Sequence, residues 1–181
     1  GSKALSTPVK PASVLANKAI HSPKSNPQDT KKLPSVVGML LHMIRNSRPD
    51  LMNPVQELSS HMSNVVDAAM EDLDLVGHHA VATPDRGFII KPDNPNSWDG
   101  TRNYLFKISG ESDADWAKDP TRKSICSGCT FLNGAMIKMF SNMMKVIALS
   151  TTESELNAAV LESMDMMLAY YIVKGMRLTV E

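Results

Sequence analysis

Cysteine is scarce in this chain: Cys126 and Cys129 are the two in 181 residues, spaced as a single Cys-x-x-Cys. A closed zinc site needs four ligands, and no second Cys pair or His-x-x-x-His accompanies this one, so structural zinc is not expected. Residues three apart on a strand point to opposite faces, which favours two reduced packing thiols over a disulfide. Long apolar runs are missing too. No stretch approaches the roughly 18 to 20 residues that cross a bilayer, and no apolar signal-peptide core opens the chain. The expectation is an intracellular protein, cytoplasmic or nuclear, with no membrane partner. Neither charge is in excess: nineteen basic and nineteen acidic side chains cancel. The chain as a whole therefore lacks the electrostatic footprint of a protein that binds phosphates unaided. Gly-x-Gly motifs and glycine-rich phosphate loops are absent, and no Ser-His-Asp ordering stands out.

What is present divides into three stretches. Hydrophobic residues make up 43% of the chain, a normal share for a globular protein. Residues 1–32 hold Pro8, Pro11, Pro23 and Pro27 among Ser, Lys and Asn, and read as a flexible linker opened by a Gly1-Ser2 cloning scar. Its lysines, among them Lys18, Lys24, Lys31 and Lys32, face Asp29 alone and would suit a phosphate backbone. Residues 33–100 read as helical. Val36, Val37, Leu40, Leu41, Met43 and Ile44 recur at helical spacing, and Pro34 suits a first turn, giving a helix over 34–46. Arg48-Pro49-Asp50 breaks it. Leu51, Val55, Leu58 and Met62 stripe a second helix over 51–62, and a third follows, capped by Asp67 or Asn64, with Val66, Met70, Leu73 and Val76 or Gly77 inward. His78-His79 reads as a solvated helix end. Gly87-Phe88-Ile89-Ile90 suits a short strand, and 92–100, dense in Pro, Asn, Asp and Gly, a domain boundary.

Residues 101–181 change period. Tyr104 to Asp113, Ile125 to Leu132 and Ala135 to Phe140 suit three strands, with Asn133-Gly134 as a hairpin turn between the last two. Ser150 and Glu153 form the capping box that opens a helix, and Gly175 ends it. Leu156, Val160, Met164, Met167, Leu168 and Tyr171 form its apolar stripe, and the thirteen methionines are expected mostly in the core. The fold class is α+β: a small helical connection-like region, then three antiparallel strands and a helix.

The order of segments carries a resemblance. Val36-Val37-Gly38-Met39-Leu40-Leu41, Ser47-Arg48-Pro49-Asp50-Leu51 and Leu58-Ser59-Ser60-His61-Met62 resemble the VGSLLYL, TRPDI and LSRFM sequence that closes the reverse transcriptase of copia-type LTR retrotransposons. Ser112-Asp113-Ala114-Asp115-Trp116-Ala117, Thr121-Arg122-Lys123-Ser124, Ser127-Gly128 and 148–155 resemble the SDADWAGD, TRKS, SG and ALSSTEAE blocks of the attached RNase H domain. The resemblance implies a reverse-transcriptase thumb or connection-like region over 33–100 and the N-terminal half of an RNase H-like domain over 101–181.

It also implies a chemistry. In such a domain carboxylates hold two Mg²⁺ ions that activate water and stabilise a leaving oxygen. Asp113 matches the first-strand aspartate and Glu155 the helix glutamate; Asp115, two residues along and on the same strand face, is the rival of Asp113, and Asp119 falls in the following loop. The family's third carboxylate belongs to a later YxDNxSA segment, so weak or no Mg²⁺ binding, and no hydrolysis by the chain alone, is expected. Nor is it a polymerase by itself. The parent's partners would be an RNA/DNA hybrid and the remaining polyprotein segments, and an unpaired edge of the first strand would favour self-association. Lys118, Ser141-Asn142-Met143-Met144 and the sparsely basic 72–83 depart from the family pattern. A co-opted protein-interaction module without nuclease activity is the alternative.

Overall fold

In the computed structural model, which describes residues 15–91, 100, 104–117 and 121–181, the first long helix begins where Asn26 accepts hydrogen bonds from the N–H groups of Gln28 and Asp29, each at 2.9 Å. Pro27 occupies the first helical position, where its missing N–H costs nothing. This helix, α2 (Pro27–Asn46), follows a short α1 (Leu15–Ala19) and precedes a 3-10 turn (Pro49–Leu51), α3 (Met52–Ser60) and α4 (Asp67–Ala82). The helix therefore starts seven residues before the Pro34 start that the apolar spacing suggested. Pro34 sits inside it and forfeits the backbone bond an N–H there would have made.

The chain divides between Phe88 and Ile89 into two compact units. The core of the first is Leu33, Val37, Leu40 and Ile44 of α2 against Leu51, Val55 and Leu58, with Ala69, Leu73 and Val76 of α4. The described part of 1–32 is no linker. Leu15 is 1% exposed and its N–H donates to Glu57 Oε2 at 3.0 Å, while Lys18 pairs with Asp72 at 2.7 Å. Residues 22–25 are bonded to the start of α4: Ser25 N–H donates to the Val65 carbonyl, and Asp67 N–H to that of Pro23, both at 3.1 Å. Lys18 thus spends its charge on a buried carboxylate. Residues 1–14 and 92–99, and with them the expected cloning scar and most of the expected boundary, lie outside the described residues; Phe88, Ile89 and Ile90 form no strand.

Arg48 locks this unit. Its guanidinium, 3% exposed, forks onto Asp50 through Nε and Nη2, both at 2.9 Å, and spends its remaining donors on the end of α4. Nη1 donates to the carbonyls of Ala80 and Thr83 at 3.1 and 3.0 Å, and Nη2 to Thr83 Oγ1 at 2.8 Å. Those carbonyls are among the ones a helix end leaves unpaired, and a cation there also meets the negative end of the helix dipole. His79 is not at a solvated end: it is 1% exposed, with Nε2 3.3 Å from Asp50 Oδ2. The helix carries the pair onto different faces, so only His79 turns inward.

In the second unit, β1 (Leu105–Phe106) continues into β2 (Ile108–Asp115), followed by β3 (Ile125–Leu132), β4 (Ala135–Met143), α5 (Thr151–Gly175) and β5 (Thr179–Val180). Strands β2, β3 and β4 form an antiparallel sheet in that order. Asn133 and Gly134 turn the hairpin with φ of 50° and 80°, the left-handed values a two-residue turn of this hand requires. Ser150 caps α5 by accepting the Glu153 N–H at 3.1 Å, and Glu153 Oε2 reaches back to the Leu149 N–H at 2.7 Å. The α+β arrangement of three antiparallel strands and a capped helix is as the sequence suggests. The first strand's outer edge is not wholly bare, however. Strand β5 runs parallel to β1, with Glu181 N–H donating to Phe106 O and Ile108 N–H to Glu181 O. The expected stripe of α5 is also reversed: its buried residues are Ser154, Ala158, Glu162, Ala169 and Val173. No helix among the described residues is long and apolar enough to cross a membrane.

Arg48→Ala strands Asp50 and the α4 carbonyls together, and is expected to lower stability by about 3 kcal/mol in urea unfolding; Arg48→Lys, which cannot fork, recovers only part. The Arg48 hydrogen bond, opposed by desolvation and helped by the guanidinium charge, holds Asp50 below its ordinary 3.8. A depressed carboxylate stabilises fully above its unfolded value, and that contribution is lost as pH falls through the folded one. Urea midpoints should therefore begin to fall as the pH drops past 3.8, with a shallower fall in Asp50→Asn.

Candidate functional site

Strict alternation along β2 decides where its carboxylates point. A Cβ added to Gly110 would meet Glu162 Oε1 of α5 at 2.6 Å, and Ala114 packs with Cys126 and Ala158, so the even-numbered residues face α5. Glu111, Asp113 and Asp115 therefore share the opposite face. Asp113 is exposed, with Ser127 opposite it on β3, and the Ser127 hydroxyl donates to the Asp113 carbonyl at 3.4 Å. Asp115 ends the strand opposite Ile125. Glu155 lies in the second turn of α5, exposed. Its charge, after the larger effect of burial, helps hold the Cys126 thiol above its ordinary range. The matched carboxylates thus stand on neighbouring elements but leave the sheet on different sides. Among the described residues no group of three or more His, Cys, Asp or Glu could hold a metal ion. Asp119 lies outside the described residues.

The other matched blocks hold the strand ends to the start of α5. Trp116 Nε1 donates to the Ala148 carbonyl at 3.2 Å. Ser124, fully buried, accepts from the Ala117 N–H through Oγ at 3.2 Å, while its carbonyl accepts from Met144 N–H at 2.8 Å. Cys126 Sγ lies 3.8 Å from the Ser154 carbonyl. Both cysteines are free, and burial first, then nearby carboxylates, raises both thiols. A thiol held protonated is a poor nucleophile.

Sequence reasoning missed Glu162. It is 4% exposed and lies over the sheet, where Oε1 accepts from the Thr130 hydroxyl at 2.6 Å and Oε2 finds no hydrogen-bond partner among the described residues. Two glycines make room for it. A Cβ at Gly128 would collide with Glu162 Oε2 and come within 2.5 Å of Phe140. The available signal was glycine in two strand interiors, which marks a close approach from another element, together with a glutamate in phase with Ala158.

No family profile matches the chain, and no solved structure matches it. Over 122 residues it is 32% identical to the "Secreted RxLR effector protein 161" of Plasmopara viticola, an alignment covering 67% of this chain and 79% of that protein. Over 151 residues it is 29% identical to the "Retrovirus-related Pol polyprotein from transposon RE2" of Arabidopsis thaliana, covering 80% of this chain but 10% of the polyprotein.

The close floor under Glu162 gives two expected outcomes in urea unfolding. Gly128→Ala lowers stability by about 1 to 3 kcal/mol, because the new methyl must displace a carboxylate and a ring. Thr130→Val leaves the second carboxylate oxygen unpaired as well and costs about 1 to 3 kcal/mol; adding Glu162→Met, which removes the stranded partner, restores most of that loss.

Proposed function

The chain belongs to the family of the secreted RxLR effector protein 161 of Plasmopara viticola, and from that premise we propose that this family descends from the Pol polyprotein of a copia-type LTR retrotransposon. On this reading the helical unit derives from the end of the reverse transcriptase, and the second unit from the N-terminal half of its RNase H-like domain. The observation that carries it is the coincidence of motif and topology. The SDADWA block ends the first of three antiparallel strands, the ALSTTESE block opens the helix that follows, and β5 returns parallel to β1. The polyprotein relative, of which the chain spans a tenth, supports the ancestry.

The parent activity would be cleavage of RNA in an RNA/DNA hybrid with Mg²⁺, and Asp113 and Glu155, with Asp115 as rival to the first, are the residues that descend from its ligands. These residues do not make a fitting site by themselves. Two-ion phosphodiester hydrolysis needs several carboxylates converging on one point, and here Asp113 and Asp115 leave the sheet face turned from α5, the helix that bears Glu155. The charge balance over the chain, nineteen basic against nineteen acidic side chains, supplies no net attraction to a hybrid's phosphates. The proposed state is a retrotransposon-derived domain without nuclease or polymerase activity of its own.

The test is incubation of the folded chain with a labelled RNA/DNA hybrid and Mg²⁺ or Mn²⁺, beside Asp113→Asn and Glu155→Gln. No cleavage above background is expected. Metal-dependent cleavage lost in both variants would sink the proposal of inactivity.

A further inference from the structure

Helix α5 turns its apolar side to water. Leu156, Val160, Met164, Met167, Leu168 and Tyr171 lie on the face opposite Ala158, Glu162 and Ala169, which rest on the sheet. These six residues are between 51% and 64% exposed. That amounts to roughly 650 Å², within the range each partner contributes to an interface of standard size. A patch of this extent exceeds what monomers commonly leave in water.

Its layout points to one occupant. Val160, Met164, Met167 and Tyr171 are spaced four, three and four apart, the spacing of a seam between two packed helices. Charge on this face is confined to its ends, Glu153 in the first turn and Lys174 in the last; Glu155, Glu162 and Asp165 fall on the sheet side of the wheel. Glu153 and Lys174 are equidistant from a midpoint between Ser163 and Met164. So are Val160 and Met167, and so are Leu156 and Tyr171. A second α5 laid antiparallel about a two-fold axis at that midpoint would set each residue against its mate, with Glu153 opposite Lys174 at both ends. Parallel pairing would instead stack like charges and align the helix dipoles unfavourably.

We infer that the chain forms an isologous homodimer through the outward face of α5, its two helices antiparallel and centred near Met164. The interface is largely apolar, with the polar Asn157 in it donating its amide to the Glu153 carbonyl at 2.8 Å, and is closed at each end by opposite charges; the unbranched methionines at its centre can adapt to one another.

Sedimentation velocity of the purified full chain over a concentration series tests this. A dimer is expected at tens-of-micromolar concentration. Met164→Glu, at a position 61% exposed in the single chain, should leave the circular dichroism spectrum unchanged and raise the dimer dissociation constant at least about a hundredfold, since it buries an unpaired charge twice. Orientation is read from disulfides: Val160→Cys mixed with Met167→Cys should give the mixed cross-linked pair in preference to either self-pair. A wild-type chain that stays monomeric across the series would overturn the inference, and so would a dimer indifferent to Met164→Glu. Self-pairs formed in preference to the mixed pair would overturn the antiparallel arrangement.

Discussion

Close contact between α5 and a sheet floored by glycine governs the second unit. Gly110 and Gly128 leave no side chains where the helix crosses, so Ala158 and the stem of Glu162 approach the strands directly. The helix cannot choose its own phase, because its start is tied down: Trp116 holds the Ala148 carbonyl, Ser124 holds Met144, and Ser150 and Glu153 cap the first turn. With the start held, 3.6 residues per turn sets every later side chain. Small residues and one glutamate go inward, and the larger apolar ones go out. Burying a Leu or Met side chain is worth about 1.5 to 3 kcal/mol, so the outward stripe represents stabilisation that this unit alone leaves unrealised.

Glu162 shows the cost of that arrangement. A carboxylate under a helix, with one oxygen served by Thr130 and the other by nothing described, is a weak contributor to stability, because desolvation opposes whatever the single bond supplies. Its effect is on specificity of packing: Gly110 and Gly128 accept this helix face and would clash with added side chains. In the helical unit the comparable device is satisfied. Arg48 meets a carboxylate, two helix-end carbonyls and a hydroxyl at once, so the same Ser-Arg-Pro-Asp stretch that stops α2 also closes the end of α4.

The matched motifs consequently separate into two kinds. Arg48, Asp50, Trp116, Ser124 and Gly128 have structural work in the folded chain, in caps, strand ends and close approaches. Asp113, Asp115 and Glu155 are exposed, and alternation on β2 directs the two aspartates away from the helix. Structural constraint alone keeps motifs of the first kind recognisable, whereas carboxylates of the second kind make a site only if further groups converge on them.

Local chemistry made much of the fold readable. The Asn133-Gly134 turn, the Ser150 to Glu153 cap and the three strands each depend on residues within a few positions of one another, and sequence alone was enough to identify them. Asn26 and Pro27 were equally local; Pro34, seven residues later, sent the same signal and obscured the start of α2. The inward turn of His79, the burial of Leu15 and Lys18's pairing with Asp72 depend on partners 29, 42 and 54 positions away. The candidate carboxylates were legible as residues, but their divergence from the sheet was not. An apolar stripe fixes that a helix is amphipathic, not what its apolar side will meet. For α5 the sequence alone determined the helix and its ends; which side was buried was decided by the tethered start and the glycine floor, both set by contacts between distant segments.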